Sequence, residues 1–320
     1  TFGVGRTAVA VSSGGEHTCA ILDNGSISCW GSGNYGKIGN GAYDTQYLPT
    51  LTSSLGNGRS AIHLSAGNSH TCAVLDDGSV VCWGQGQDGM IGNGGNSAQD
   101  TPTQTSGFGF GRTAVAVSVG EQHSCALLDN GSVSCWGRNN MGQLGDGTTT
   151  TRTTPTLTAS FGTGRTAVEI AAGGFHTCAI LDNGAVSCWG ENYNGQLGNG
   201  GTVDSSTPTL TNSLGANRTA VALTAAIQHT CSILDNGTQS CWGWGSSWGV
   251  SGNQTSPLVI SSSDIGRNTV AISSGNARTC FILDNASLSC RILEIILSLI
   301  TTEIDFRSLL KRVSFLTLSS

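Results

Sequence analysis

The stretch HTCAILDNGSISCWG, residues 17–31, gathers side chains able to do chemistry: His17, Cys19 two residues on, and Cys29 ten residues after that. An imidazole and two thiolates are ligands of the kind zinc takes. Two neighbouring thiols are alternatively a redox pair or, once oxidised, a covalent staple. The same stretch returns along the chain. Cys19 and Cys29, Cys72 and Cys82, Cys125 and Cys135, Cys178 and Cys188, Cys231 and Cys241, and Cys280 and Cys290 account for all twelve cysteines at one spacing, C-x9-C. One partner at one spacing favours six disulfides in a chain made for an oxidising compartment. Zinc has no evident fourth ligand, and the sixth unit carries Arg278 at the histidine position. Buried reduced thiols stay open as the other alternative. A catalytic thiol is the weakest reading, because chemistry needs one tuned nucleophile and six equivalents suggest architecture.

The elements that position these residues follow from the repeat. First cysteines recur every 53 residues, except for a last step of 49. Pro49, Pro102, Pro155 and Pro208 each follow their cysteine by thirty positions and Pro257 comes four early, which places the deletion between Cys241 and Pro257. A fixed period in this range signals a solenoid or propeller array. Within a unit, TAVAV, HTCAIL and SISCW read as short strands, and Asp-Asn-Gly between the last two is a hairpin signal. A three-residue loop with Gly25 in the left-handed position sets Leu22 opposite Ser26, and therefore Cys19 opposite Cys29.

Composition narrows the class. The chain of 320 residues has 47 glycines, 5 prolines and 11% charged residues, which suits strands and turns. A net charge of -6 lacks the basic footprint that a phosphate backbone requires, so no nucleic acid partner is expected. No apolar run approaches the ~18 residues that a membrane span needs. The first residue is Thr, and no charged-then-apolar leader precedes the repeats; a secretory signal is read as absent or missing from this fragment.

The units VSSGGEHTCAILDNGSISCWGSGNYGKIGNG and VSVGEQHSCALLDNGSVSCWGRNNMGQLGDG resemble the repeats of the regulator of chromosome condensation family. The shared features are a small-Gly-x-x-His segment, the Asp/Asn-Gly turn, Trp-Gly and the Gly-Gln-Leu-Gly loop. The resemblance covers residues 1–290 and implies an all-β fold, a β-propeller of four-stranded blades, with seven in the full family ring. Six units of about 50 residues are recognisable here, and because the chain opens inside a repeat the ring is expected to be incomplete. Residues 291–320 depart from the pattern: Cys290 is followed by RILEIILSL rather than Trp-Gly, and every glycine lies before residue 276. The tail is read as the product of a reading-frame shift, or else as a helical extension. Cysteine-paired repeats look like the secreted or surface-attached microbial branch of the family.

Most repeated residues have structural readings. His17, His70, His123, His176 and His229 are expected to satisfy backbone groups inside each blade, and Trp30, Trp83, Trp136, Trp189 and Trp242 to be core wedges. Arg6, Arg59, Arg112, Arg165, Arg218 and Arg267, each thirteen residues before a cysteine, are expected to pair with the neighbouring blade. The turn aspartates Asp23, Asp76, Asp129, Asp182, Asp235 and Asp284 lack the D-x-D-x-D-G run of a calcium loop. Specificity is expected where units differ, in the loops after Trp-Gly and in Ser/Thr-rich insertions near residues 42–55, 95–108, 148–161 and 201–214. Binding candidates there are Tyr35, Tyr43, Tyr47, Asp88, Met90, Arg138, Met141, Arg152, Glu191, Tyr193, Trp244 and Trp248. No Ser-His-Asp, paired-carboxylate or phosphate-loop pattern rises above the repeats. The sequence therefore reads as a non-enzymatic scaffold without metal or cofactor, exported or displayed on a cell surface, that binds a protein or glycan. The alternative is an intracellular regulator that exchanges guanine nucleotide on a small GTPase.

Overall fold

A computed structural model describes residues 2–3, 5–260, 267–275 and 278–291. The tail beyond residue 291 and the expectation of a helix there lie outside the described residues. Alternating apolar positions form short antiparallel strands: β1 (Ala8–Ser13), β2 (His17–Leu22), β3 (Ile27–Gly31) and β4 (Gln46–Leu51) make the first sheet, in that spatial order. The same meander recurs in four further four-stranded sheets, spanning Ala61–Gln104, Ala114–Leu157, Ala167–Leu210 and Ala220–Ile260, and in a three-stranded sheet at Thr269–Arg291. These are six blades of a β-propeller. The first strands are innermost: their ends at Ser13, Ala66, Val119, Ala172, Ala225 and Ser274 line one axial cavity.

The hairpin takes the expected register. Leu22 N–H donates to Ser26 O at 2.8 Å and Gly25 adopts φ +77°, so Cys19 faces Cys29. Counting outward from the hydrogen-bonded Leu22/Ser26 pair makes the cysteines a non-hydrogen-bonded pair, and their Cα separation of 4.1 Å agrees. The other blades repeat the disulfide as Cys72–Cys82, Cys125–Cys135, Cys178–Cys188, Cys231–Cys241 and Cys280–Cys290, and no cysteine is free. In blade 4, Cys178 faces Cys188 across the hairpin, and on its other side Cys188 lies opposite Thr209 of the outer strand. The ladder to that outer strand shifts register between Cys188 and Gly190, as it does between Cys135 and Gly137 in blade 3. A shift of this kind leaves the cysteine as the last regularly paired residue before the Trp-Gly turn.

The core lies between blades. In β2, His17, Cys19 and Ile21 point to the next blade and Thr18, Ala20 and Leu22 point back, which buries both faces of the strand. One apolar cluster thus joins Cys72, Val74 and Cys82 of blade 2 to Val117, Leu128 and Trp136 of blade 3. The equivalent cluster joins Cys178 and Cys188 of blade 4 to Leu223, Leu234 and Trp242 of blade 5. Trp136 is fully buried and donates its indole N–H to Met90 O of the preceding blade at 2.9 Å. Trp83, Trp189 and Trp242 repeat the bond to Lys37, Gln143 and Gln196. Hydroxyls add a second link: Ser12, Ser65, Ser118 and Thr224 accept backbone N–H groups of Ala66, Val119, Ala172 and Ser274 in the next blade. Blade 4 has Ala171 there, and the Glu169 carboxylate accepts from Leu223 N–H at 3.0 Å instead.

Three expectations require correction. The histidines reach across to the next blade rather than satisfying backbone within their own: His Nε2 bonds a hydroxyl in the pairs His17/Thr71, His70/Ser124, His123/Thr177, His176/Thr230 and His229/Thr279, at 2.6–2.8 Å. Each ring stands on the strand face that packs against the next blade, so Nε2 meets that blade's hydroxyl, while Nδ1 has no partner. The arginines pair within their own blade, Arg6 with Asp23 and Arg112 with Asp129 at 3.3 Å, because the start of the first strand and the hairpin tip lie at the same end of the sheet. The Ser/Thr-rich insertions are half strand, since Gln46–Leu51, Gln99–Gln104, Arg152–Leu157 and Ser205–Leu210 form the outer edges of the blades.

Val11 is 66% exposed where its counterpart Val117 is 2% exposed. On the side of blade 1 turned away from blade 2 the innermost strand is thus exposed at Val11, whereas Ala20 and Leu22 of β2 on that same side are buried.

Candidate binding face

Strand direction divides the propeller into two ends. Hairpin tips and Arg–Asp pairs occupy one end. The other carries the first-to-second-strand loops, which contain Gly-x-x-His, and the connections after Trp-Gly. Gly120 is needed there because a Cβ would collide with Gly173 O of the next blade and stand 2.6 Å from the His123 ring. Gly137 is needed because it turns at φ +104°, with Gln122 O 2.6 Å from where a Cβ would stand.

That frame presents variable side chains in pairs. The residue after each Trp-Gly donates its N–H to the carbonyl of the residue before each histidine: Ser32 to Glu16, Gln85 to Ser69, Arg138 to Gln122, Glu191 to Phe175 and Trp244 to Gln228, at 2.8–2.9 Å. Five identical backbone bonds therefore hold five different side-chain pairs next in sequence to the lining of the axial cavity, which includes Asn68, Glu121 and Ile227. In blades 3 and 4 the following asparagine anchors the loop. Asn139 donates to Asp146, Thr148 O and Thr150 O while accepting from Leu144 N–H, and Asn192 repeats the arrangement with Asn199, Gly201 O, Val203 O and Leu197 N–H.

The face carries both signs of charge. Lys37 is buried and donates to Glu16 at 3.0 Å, and this bond holds the Glu16 carboxyl below the usual range. Burial raises Glu121. Glu191 is raised by burial first and then by Asp204 and Glu121, while Gln196 Nε2 donates to it at 2.9 Å. Arg138 lies over the Phe175 ring, 6.0 Å from its centroid, and donates to Asn140 and Gln122. In the first strand of blade 4, burial pushes Glu169 up to about 7, against the bond it accepts from Leu223 N–H. The imidazoles beneath the face are pushed down by burial, to about 4 for His123 and about 3 for His176.

The sequence-selected residues divide between scaffold and face. The cysteines belong to the scaffold: Cys178 and Cys188, like the cysteines of blades 1, 2, 3 and 5, are fully buried between sheets and offer nothing to a ligand. Arg138, Glu191 and Trp244 stand in the paired positions. Tyr35 and Asp88 occupy equivalent left-handed positions, φ 62° and 58°, in short turns after Trp-Gly. Tyr35, Tyr43 and Tyr193 are exposed, and Met141 is half-buried. Tyr47 lies on the outer strand, and Arg152 starts the corresponding strand of blade 3 with its guanidinium on Asp146 at 2.8 Å. Met90 is enclosed in the blade rather than offered to solvent. The Trp248 side chain lies outside the described residues. Sequence reasoning missed Glu16, Lys37, Gln122, Gln143 and Phe175, which sit inside the repeated motifs. The signal was the succession Glu, Ser, Gln, Phe, Gln before five otherwise fixed histidines.

Among the described residues, no group of three or more His, Cys, Asp or Glu is placed to hold a metal ion, and no helix is long and apolar enough to cross a membrane.

Residues 2–281 match the RCC1-like domain family. The chain is similar to the human E3 ubiquitin-protein ligase HERC2, with 32% identity over 233 residues, or 72% of this chain and 5% of that protein. It is similar to the ultraviolet-B receptor UVR8 of Arabidopsis thaliana, with 31% identity over 249 residues, or 78% of this chain and 56% of that one. The chain therefore spans about half of the plant relative and a small part of the human one. In fold it resembles the crystal structure of Prp20p from Saccharomyces cerevisiae, described with its binding properties to Gsp1p and histones. That likeness has a TM-score of 0.74 at 18% identity and covers 88% of this chain and 70% of that one.

Proposed function

This chain belongs to the RCC1-like domain family, and from that premise we propose that it is an exported or surface-displayed, non-catalytic scaffold that binds a protein partner through the end carrying the Trp-Gly connections. The carrying observation is the set of five paired positions. Identical backbone bonds hold Glu16 with Ser32, Ser69 with Gln85, Gln122 with Arg138, Phe175 with Glu191, and Gln228 with Trp244. A frame kept constant under varied side chains is how a rigid scaffold presents specificity. Arg138, Phe175 and Trp244 are side chains of the type that anchor interfaces. Six disulfides support export, since such bonds persist in oxidising compartments.

Two measurements test the reading. A photo-crosslinking residue at position 244 or 175 is expected to capture a partner from the native extracellular milieu, and one at hairpin-tip position 130 is expected not to; equal capture from both ends removes the assignment of the face. Protein purified without reductant and then denatured is expected to show no reactive thiol. Twelve reactive thiols would instead favour an intracellular protein and the nucleotide-exchange alternative.

A further inference from the structure

We propose that Arg138 and the buried amide of Gln143 form a receptor for a single carboxylate presented by the protein partner; the proposal deepens the binding reading above and rests on it.

The argument comes from comparing one position across blades. Lys37, Met90, Gln143 and Gln196 are equivalent, one per repeat, and all are buried. In blade 1, the Lys37 ammonium is capped by the Glu16 carboxylate. In blade 4, Gln196 Nε2 is capped by the Glu191 carboxylate. In blade 2, Met90 has no polar end to cap. Of these four positions, only that of blade 3 carries a buried donor without an acceptor: Gln143 is fully buried and its Nε2 has no hydrogen-bond partner.

The direction of that donor is fixed. Gln143 Oε1 accepts from Met141 N–H at 2.9 Å, as Gln196 Oε1 accepts from Asn194 N–H at 2.9 Å. The two amides therefore share one orientation, and Gln143 Nε2 aims at the position after Trp-Gly, where blade 4 holds Glu191. In blade 3 that position is Arg138. Both other blades with a polar residue at this point complete it with a carboxylate of their own blade, whereas blade 3 has an arginine at the position after Trp-Gly and leaves its donor unpaired.

Arg138 is positioned to receive such a group. Asn140 and Gln122 each hold one edge of the guanidinium, and the Phe175 ring lies beneath it. Asn139 ties down the loop between Arg138 and Gln143. A guanidinium has five N–H donors in a planar fork, so donors remain after the two bonds described. The chemistry missing from blade 3 is one carboxylate, from an acidic side chain or from a chain terminus.

The test uses the full chain, with the Gln143 side-chain amide followed by heteronuclear NMR. The probes are N-acetylglutamate N-methylamide, which offers a side-chain carboxylate, N-acetylalanine, which offers a terminal one, and N-acetylglutamine N-methylamide, which is neutral. At least one carboxylate probe is expected to shift the Gln143 amide saturably in the millimolar range, and the stronger of the two identifies the source. The neutral probe is expected to leave it unmoved. Two variants borrow residues that other blades already use. Arg138→Glu supplies the carboxylate internally, as in blade 4, and Gln143→Met removes the donor, as in blade 2. Each is expected to weaken the carboxylate probe at least tenfold, followed in the Met variant on the Arg138 side chain. Equal shifts from charged and neutral probes, no shift from either, or binding retained in both variants overturns the proposal. If the probes bind and no partner is captured, the scaffold reading fails alone. If a partner is captured at positions 244 and 175 and the probes do not bind, this inference fails alone.

Discussion

Acidification from about pH 7.5 to about pH 5 is expected to destabilise the fold through the histidines that tie the blades together. All five are buried, with burial pushing His17, His123 and His229 down to about 4 and His70 and His176 to about 3. In the unfolded chain a histidine titrates near 6.5. A folded value below the unfolded one leaves stability intact above ~6.5, with loss as the pH falls from there towards the folded value. By linkage each histidine costs roughly 2 kcal/mol at pH 5, and the figure hardly depends on the folded value once that is about 4 or lower. Five histidines give about 10 kcal/mol. Glu169 acts in the opposite sense: its folded value is raised to about 7, so the cost of its charge is relieved as the pH drops, returning roughly 2 kcal/mol. For these six groups the loss is about 8 kcal/mol, comparable to the whole stability of an ordinary domain, and Glu121 and Glu191, also raised by burial, offset it in the same sense as Glu169. Urea unfolding at several pH values measures it. His123→Gln, a neutral side chain still able to bond Thr177, is expected to lose about 2 kcal/mol less than the parent between the two pH values. An unchanged slope in that variant, or a folded-state imidazole titrating near 6.5 by NMR, would refute the reasoning.

Replacing Cys125 and Cys135 together by alanine is expected to cost roughly 3 kcal/mol in urea unfolding, the closure entropy of a loop of about eleven residues. Gly120→Ala is expected to destabilise by at least 1–3 kcal/mol, because the neighbouring carbonyl and imidazole cannot both give way. Arg112→Ala at the exposed pair with Asp129 is expected to change the midpoint by less than about 1 kcal/mol. Trp136→Phe is expected to cost about 1–3 kcal/mol, since it removes a buried donor from Met90 O.

Much of this architecture is legible in the amino-acid sequence. Spacing gave the strands, and the hairpin turn gave the cysteine register, because both depend on near neighbours in the chain. What reading a single unit could not reach were bonds between units. His123 finds its partner 54 residues away in Thr177, and Trp136 finds Met90 O at a separation of 46. The outer strands were hidden for a different reason: QYLPTL and RTTPTL contain proline and threonine and little apolar alternation, since an edge strand buries little. The binding end was half legible. Residues after Trp-Gly stood out as variable, whereas Gln122, Gln143 and Phe175 were concealed within motifs whose fixed members drew the eye.

The placement of the apolar clusters between sheets has a consequence for how such a chain grows. A lone unit would leave both flanks wet, the cysteine side and the alanine-leucine side alike, and has little reason to fold by itself. Two consecutive units already make one complete seam, and each added copy brings its own complementary pair of flanks. Duplicating a 53-residue segment therefore lengthens the array without redesigning any contact, whereas an insertion that splits a unit breaks two seams at once.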